Sequence, residues 1–260
     1  RWDYVRQHAE RSMSGTSGRQ RVDLQSLKNL LIDIPPLPAQ QKIASILSAY
    51  DDLIEKNNRR IQILEEMAQR IYREWFVHFR FPGHENVKMV DSELGKIPEG
   101  WEVKNIGNVC GFISKGITPI YQEGTGRKVI NQKSNRGSIL DHSLFKELRS
   151  DQPVEESRYA QHNDLLINSM GEGTLGRVHY FGGADGHLIV DSLITICRST
   201  NLGTTMLLYF ILQSQYGSKT LQNLKIGSTG MTSLSVSSIG QIKFACPSIN
   251  LIHNFYEINK

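Results

Sequence analysis

The chain has 260 residues, 39% of them apolar and 22% charged, with a formal net charge of +4, a balance that gives a globular protein enough apolar surface to build a core. No run approaches the roughly 18 apolar residues of a membrane span, and the polar start Arg1-Trp2-Asp3-Tyr4 has no signal-peptide pattern, so a cytoplasmic location is expected. Three cysteines, Cys110, Cys197 and Cys246, lie far apart and are odd in number, which argues for reduced thiols and against a disulfide framework or a CxxC zinc site.

Residues 1–38 read as a short helix, a Gly/Ser turn and an apolar strand running to Ile34, closed by Pro35-Pro36-Leu37-Pro38. Prolines stop one regular element and set up the next. The same stretch aligns without gaps to the residues 212 positions later. Tyr4 falls on Tyr216, Gly15 on Gly227, Gly18 on Gly230, Ser26 on Ser238 and Pro35 on Pro247. Apolar positions keep step: Val22 with Leu234, Leu27 with Ile239, Leu30 with Ile242, Ile32 with Phe244. The chain begins with a copy of what it later ends with. The early copy lacks its front, so the expectation is the back end of a larger duplicated protein.

From residue 39 to about residue 80 there is no Gly and no Pro. Ile43, Ile46, Tyr50, Leu53, Leu64, Met67 and Ile71 recur with alternating three- and four-residue spacing, the pattern of a coiled-coil seam. Asn57 and Arg60 hold the two middle seam positions, where a polar residue costs stability and fixes register. A helix of about 40 residues is a rod of roughly 60 Å, and one apolar seam requires another helix to cover it. The rod runs into Trp75, Phe76, Phe79 and Phe81, closed by Pro82-Gly83, a cluster that anchors a rod to a body or docks a partner. A linker is expected over 81–94.

A mixed body follows over 95–250. Strand-like runs occupy 109–114, 128–131, 164–168, 177–181, 187–190, 194–198 and 241–246, with a helical stretch over 205–215 and a turn at Gly227-Ser228-Thr229-Gly230. The fold class is α+β: a mixed α/β body attached to a long coiled-coil spacer helix. From residue 104 to residue 140 there are six basic residues against one acid, Glu123, and from 192 to 256 there is no acid. Such locally basic tracts suit a polyanion or form a solvated face.

Met170-Gly171-Glu172-Gly173-Thr174-Leu175-Gly176 contains GxGxxG, with Asp191 20 residues past Gly171. The dinucleotide fingerprint needs a helix to begin inside that motif, so that its N-terminus meets the pyrophosphate. The β-like run Arg177-Val178-His179-Tyr180-Phe181 follows instead. A helix starting at Thr174 would support a nucleotide-binding enzyme and a hairpin would exclude it. There is no GxxxxGK loop, GxSxG elbow, zincin His pair, nuclease acid cluster or methyltransferase Asn/Asp-Pro-Pro-Tyr/Phe element. No metal site is expected.

Three segments together carry a resemblance. They are Ile34-Pro35-Pro36-Leu37-Pro38-Ala39-Gln40-Gln41-Lys42-Ile43-Ala44; Glu74-Trp75-Phe76-Val77-His78-Phe79-Arg80-Phe81-Pro82-Gly83 with Leu94-Gly95-Lys96-Ile97-Pro98-Glu99-Gly100-Trp101-Glu102; and Asn163-Asp164-Leu165-Leu166-Ile167 with Gly227-Ser228-Thr229-Gly230. In combination they resemble the specificity subunit of type I restriction–modification systems over nearly the whole chain. The resemblance implies a non-catalytic DNA reader. Residues 1–38 would close a first target-recognition domain, 39–80 form a conserved spacer helix, 95–250 a second recognition domain, and 251–260 the start of a second spacer helix. Each recognition domain would read half of a bipartite site in double-stranded DNA. The spacer helices would pair antiparallel and dock methyltransferase subunits, which bring S-adenosylmethionine; this chain would bind no cofactor itself. A motor–nuclease subunit would join through the complex. Pro35-Pro36-Leu37-Pro38 becomes Pro247-Ser248-Ile249-Asn250 in the second copy, which weakens the second helix's entry signal and leaves the first seam free to self-associate. An assembly subunit that docks methyltransferase without reading DNA is the other reading.

Phosphate contacts position such a domain and base contacts specify. The positioning candidates are Lys104, Lys115, Lys133, Arg136, Lys219 and Lys225. The base-reading candidates, with directional groups on loops, are Thr118, Asn131, Gln132, Asn135, Ser169, Glu172, Thr174, Arg177, Thr229 and Thr232.

Overall fold

The computed structural model describes residues 2–16, 18–171, 173–183, 186–201, 203–227 and 232–260, and only the backbone of Trp2. Contacts divide the chain into residues 1–64 and 65–260.

In the first unit, α1 (Trp2–Arg11) leads into a hairpin of β1 (Met13–Ser14) and β2 (Arg21–Val22), and then into α2 (Leu24–Lys28). The apolar run ending at Ile34 is therefore not one strand. Asp23 caps α2 by accepting from the Gln25 amide at 2.9 Å, which turns Leu24 and Leu27 into helix positions. Residues 29–36 then run without regular structure. The long helix α3 (Leu37–Tyr72) starts directly behind Pro36, and Pro38 sits in its first turn, where its missing N–H has no intrahelical acceptor to lose. Its 36 residues make a rod of about 54 Å. Within the first unit Ile43, Ile46, Tyr50, Leu53 and Leu64 are exposed, and so is a third stripe, Leu47, Ile54 and Ile61.

In the second unit the last turns of α3 pass into π-helical Arg73–Val77. Arg80 holds Glu74 through two nitrogens, at 2.7 and 2.9 Å. The stretch read as a linker carries β3 (Met89–Ser92), paired in a hairpin with β4 (Gly95–Pro98). Then come β5 (Glu102–Asn105), α4 (Ile106–Val109), β6 (Phe112–Lys115), β7 (Lys128–Ile130), β8 (Lys146–Glu147), β9 (Asp164–Asn168), β10 (Val178–Phe181), β11 (Ile189–Val190) and β12 (Ile194–Arg198). The chain ends with α5 (Thr204–Gln213), α6 (Gln215–Asn223), α7 (Val236–Gly240), β13 (Lys243–Cys246) and α8 (Ile249–Asn259).

The central sheet has the order β10-β9-β12-β6 and is antiparallel throughout. Its strands alternate faces as the pleat demands. Leu165, Ile167, Val178 and Cys197 join α5 in the main core, whereas Leu166, Phe181, Ile194 and Ile196 form a second cluster. Burial on both faces is why β9 and β12 read as continuous apolar runs. The aromatic run after α3 is packed inside this unit: Phe76 meets Phe255 edge-on at 4.9 Å, and Trp101 lies 5.4 Å from Phe79 and 5.5 Å from Phe81. It is an anchor rather than a free surface.

The repeat is structural as well as sequential. With the same offset of 212, α2 coincides with α7 and the starts of α3 and α8 coincide at Leu37 and Ile249. The hairpin pair Ser14–Arg21 matches the bridge Ile226–Ser233. Asp23 and Ser235 both cap the start of their helices, Asp23 accepting from the Gln25 amide and Ser235 from the Ser238 amide. The second helix entry is better defined than its lost prolines suggest, because Ser248 caps α8 by accepting from the Leu251 amide. One correspondence is broken: residues 243–246 pair with β5, but the equivalent residues 31–34 carry no strand pairing among the described residues, and Leu31 is 89% exposed.

Phe255 is fully buried against Phe76, Trp75 and Phe210. Phe255→Ala should therefore lower unfolding free energy by about 3–5 kcal/mol, read from urea denaturation; a loss below about 1 kcal/mol would show that α8 does not hold the second unit together.

Candidate nucleic-acid interface

At one end of the central sheet β6 and β9 finish and β10 and β12 begin. The register places Lys115 opposite Thr195, Asn168 opposite Ile194 and Val178 opposite Ile167. Described stretches distant in sequence therefore meet there: 115–118, 131–137, 169–171 with 173–177, 190–193, and 225–227 with 232–234.

Each loop is fastened at its root. After β6, Gly116 packs so closely that a Cβ would lie 2.0 Å from the Val190 carbonyl oxygen, and Ile117 bridges to Asp191. Asn131 closes the next loop, its Oδ1 accepting from the amides of Lys133 at 2.9 Å and Ser134 at 3.2 Å and its Nδ2 donating to Leu144 O at 2.6 Å. Asn135 Nδ2 donates to Asn168 Oδ1 at 3.0 Å, and Asn168 Nδ2 donates to Gln132 O at 2.9 Å. Both asparagines are fully buried. His179 Nδ1 bonds to Gly137 O at 2.8 Å; burial holds its pKa below the usual imidazole value, so the neutral Nδ1–H tautomer is the donor. Arg177 donates to Asn135 O at 3.3 Å and to Gly173 O at 3.2 Å. The Leu234 amide donates to Ser169 O at 2.8 Å and Met170 bridges to Ser233.

The sequence candidates separate against this geometry. Lys115, Thr118, Gln132, Lys133, Arg136, Thr174, Arg177, Lys225 and Thr232 lie on the converging loops and are exposed or half-buried. Arg136 approaches Asp141 at 3.7 Å, while Lys115, Lys133 and Lys225 form no ion pair among the described residues. Asn131, Asn135 and Ser169 are buried and their polar groups are committed internally, which removes them as base readers and makes them supports of the loops. Arg177 spends two donors on backbone carbonyls and ties two loops together. Lys104 sits apart on β5, paired with Glu102 at 3.0 Å, and Lys219 is exposed on α6. Glu172 and Thr229, with the turn Gly227-Ser228-Thr229-Gly230 beyond its first residue, lie outside the described residues. Of the seam positions, Met67 is exposed and Ile71 packs into the core of the second unit.

Sequence reasoning missed Asn168, His179 and Asp191 as the fasteners of this end. An Asn at the close of an apolar strand is the signal that could have found the first.

The nucleotide reading does not survive. No helix begins at Thr174; residues 173–176 form a turn in the connection between the antiparallel pair β9 and β10. Asp191, the would-be ribose acid, is 3% exposed and already occupied: it accepts from the Leu193 amide at 2.9 Å and from the Tyr121 hydroxyl at 2.5 Å. Among the described residues no cluster of His, Cys, Asp or Glu could hold a metal ion, and no helix is long and apolar enough to cross a membrane.

Residues 5–66 match the family described as Type I restriction modification DNA specificity domain. The chain is 38% identical over 110 residues to the Type I restriction enzyme MjaIX specificity subunit of Methanocaldococcus jannaschii, covering 42% of this chain and 25% of that protein. It is 32% identical over 152 residues to the putative MjaX specificity subunit of the same organism, covering 56% and 34%. These matches therefore span a quarter to a third of the relatives' length. The crystal structure of the type I restriction–modification S subunit from M. genitalium shares the fold, with a TM-score of 0.54 at 16% identity over 99% of this chain and 62% of that one.

His179 gives this end a pH signature. Its folded pKa lies below the unfolded value, so on acidification the unfolded chain takes up the proton first and stability falls with falling pH. The melting temperature should drop between about pH 7.5 and about pH 5.5, and His179→Gln should flatten that drop; an unchanged slope would show that another group sets it.

Proposed function

We propose, of a chain that belongs to the specificity subunits of type I restriction–modification systems, that it is the non-catalytic DNA-reading component of such a complex. The carrying observation is the convergence of loops from five parts of the chain at one end of a rigid sheet. Their roots are buried and bonded, and their outer groups are basic or carry directional donors. Phosphate contacts by Lys115, Lys133, Arg136 and Lys225 would set register, and half-buried polar side chains beside them would meet base edges. One such body spans half of a bipartite site.

The rod is the second part of the reading. Most of its exposed large apolar residues fall in three stripes: Ile43, Tyr50 and Leu64; Ile46, Leu53 and Met67; Leu47, Ile54 and Ile61. That face is wider than a two-helix seam requires, which supports cover by more than one helix: a second spacer helix and helices of the methyltransferase subunits. S-adenosylmethionine would enter with the methyltransferase, and the motor–nuclease subunit would join through the assembled complex.

Two measurements test this reading. Lys115→Ala should weaken binding to all duplexes alike and reduce the slope of log K against log salt by about 1; loss confined to one sequence would reassign Lys115 to readout. Capture of a methyltransferase by a chain that gives no sequence-selective footprint would replace the reading with an assembly role. The exposed rod also predicts self-association at micromolar concentration in light scattering, reversed by Leu53→Asp with Ile54→Asp. A wild-type monomer that retains its helical circular dichroism would contradict it.

A further inference from the structure

We propose that Gln132 determines specificity at one A·T base pair of the recognised DNA, an inference that rests on the reading that this end of the sheet meets DNA. Gln132 Oε1 is buried and has no hydrogen-bond partner among the described residues. Its main chain is fixed, because Gln132 O accepts from the buried Asn168 side chain at 2.9 Å. Its amide lies over Gly171, where a Cβ would stand 2.9 Å from Nε2 and 3.0 Å from Cδ. Gly171 also has φ +108, a conformation suited to glycine, so that residue is what gives the amide its place.

The neighbouring amides are spent. Asn131 and Asn135 are bonded internally through both ends of their side chains. Among the described residues two other buried oxygens lack partners, Thr195 Oγ1 and Thr205 Oγ1, but those residues are 0% and 1% exposed and short. Gln132 is half-buried on an outer loop and has the reach to leave its pocket. An acceptor kept from water without a donor loses a hydrogen bond that the unfolded chain makes. Turning outward to a ligand that supplies a donor restores it. In the major groove adenine offers that donor at N6 beside an acceptor at N7, and a glutamine amide matches the two together. Oε1 accepts from N6 and Nε2 donates to N7.

Selection of bound duplexes from a randomised library by the full chain tests this. The wild type should enrich a motif containing an adenine column. Gln132→Leu should flatten that column about tenfold or more, leave the other columns in place, and melt no lower than the wild type, since it removes an unpaired buried acceptor. Gln132→Glu, which keeps the acceptor and loses the donor, should move the same column toward cytosine. A motif unchanged in either folded variant overturns the assignment, and so does unfolding of both, which would make the amide a structural tie. A wild type that enriches no motif removes the DNA reading and this inference with it.

Discussion

The loop-bearing end of the central sheet depends on a short ladder of buried amides. Asn168, the last residue of β9, accepts from Asn135 at 3.0 Å and donates to Gln132 O at 2.9 Å. Neither asparagine reaches solvent. Removing one rung leaves a buried polar group unsatisfied, at a cost of about 1–3 kcal/mol, and frees the loop carrying Gln132, Lys133 and Arg136. Arg177, just before β10, and His179 in β10 close the same loop, and Leu234 brings the last segment alongside through Ser169. Loops bonded at their roots and open at their tips can vary in sequence at the tips without unfolding the sheet.

The opposite end of the sheet shows the contrast. There Arg198 holds the fully buried Asp164 through two bonds, at 2.7 and 2.8 Å, and lies over Phe112 at 5.1 Å. Its charges are consumed within the fold. At the loop-bearing end Lys115, Lys133 and Lys225 make no ion pair among the described residues. This asymmetry matters more than the net charge of +4, because a polyanion responds to local potential. The helical rod is a different kind of surface, with most of its exposed large apolar residues in three stripes, suited to other helices rather than to phosphate.

Much of this was legible in the sequence where one physical signal acted alone. Residues 164–168 and 194–198 are apolar runs buried on both faces, and they form β9 and β12. The 212-residue offset carried through to helix starts and hairpin register because it reflects a repeated unit. Readings failed where a capping side chain overrode an apolar pattern. Asp23 made a helix of Leu24 and Leu27. They failed again at Asn131, Asn135 and Ser169, since a polar residue in a Gly/Ser/Asn-rich stretch looks exposed until tertiary contacts bury it. The β-like run after GxGxxG argues against a dinucleotide site, and the glycines of the motif do serve a turn between antiparallel strands and a close approach to Gln132.

The most direct test of the account is amide hydrogen exchange of the full chain with and without duplex DNA enriched by the protein itself. The account predicts protection confined to 115–118, 131–137, 169–177 and 225–234, with the rod over 39–64 and the Asp164–Arg198 end of the sheet unchanged. Protection concentrated on the rod or on the Asp164–Arg198 end, with these loops exchanging as before, would contradict it.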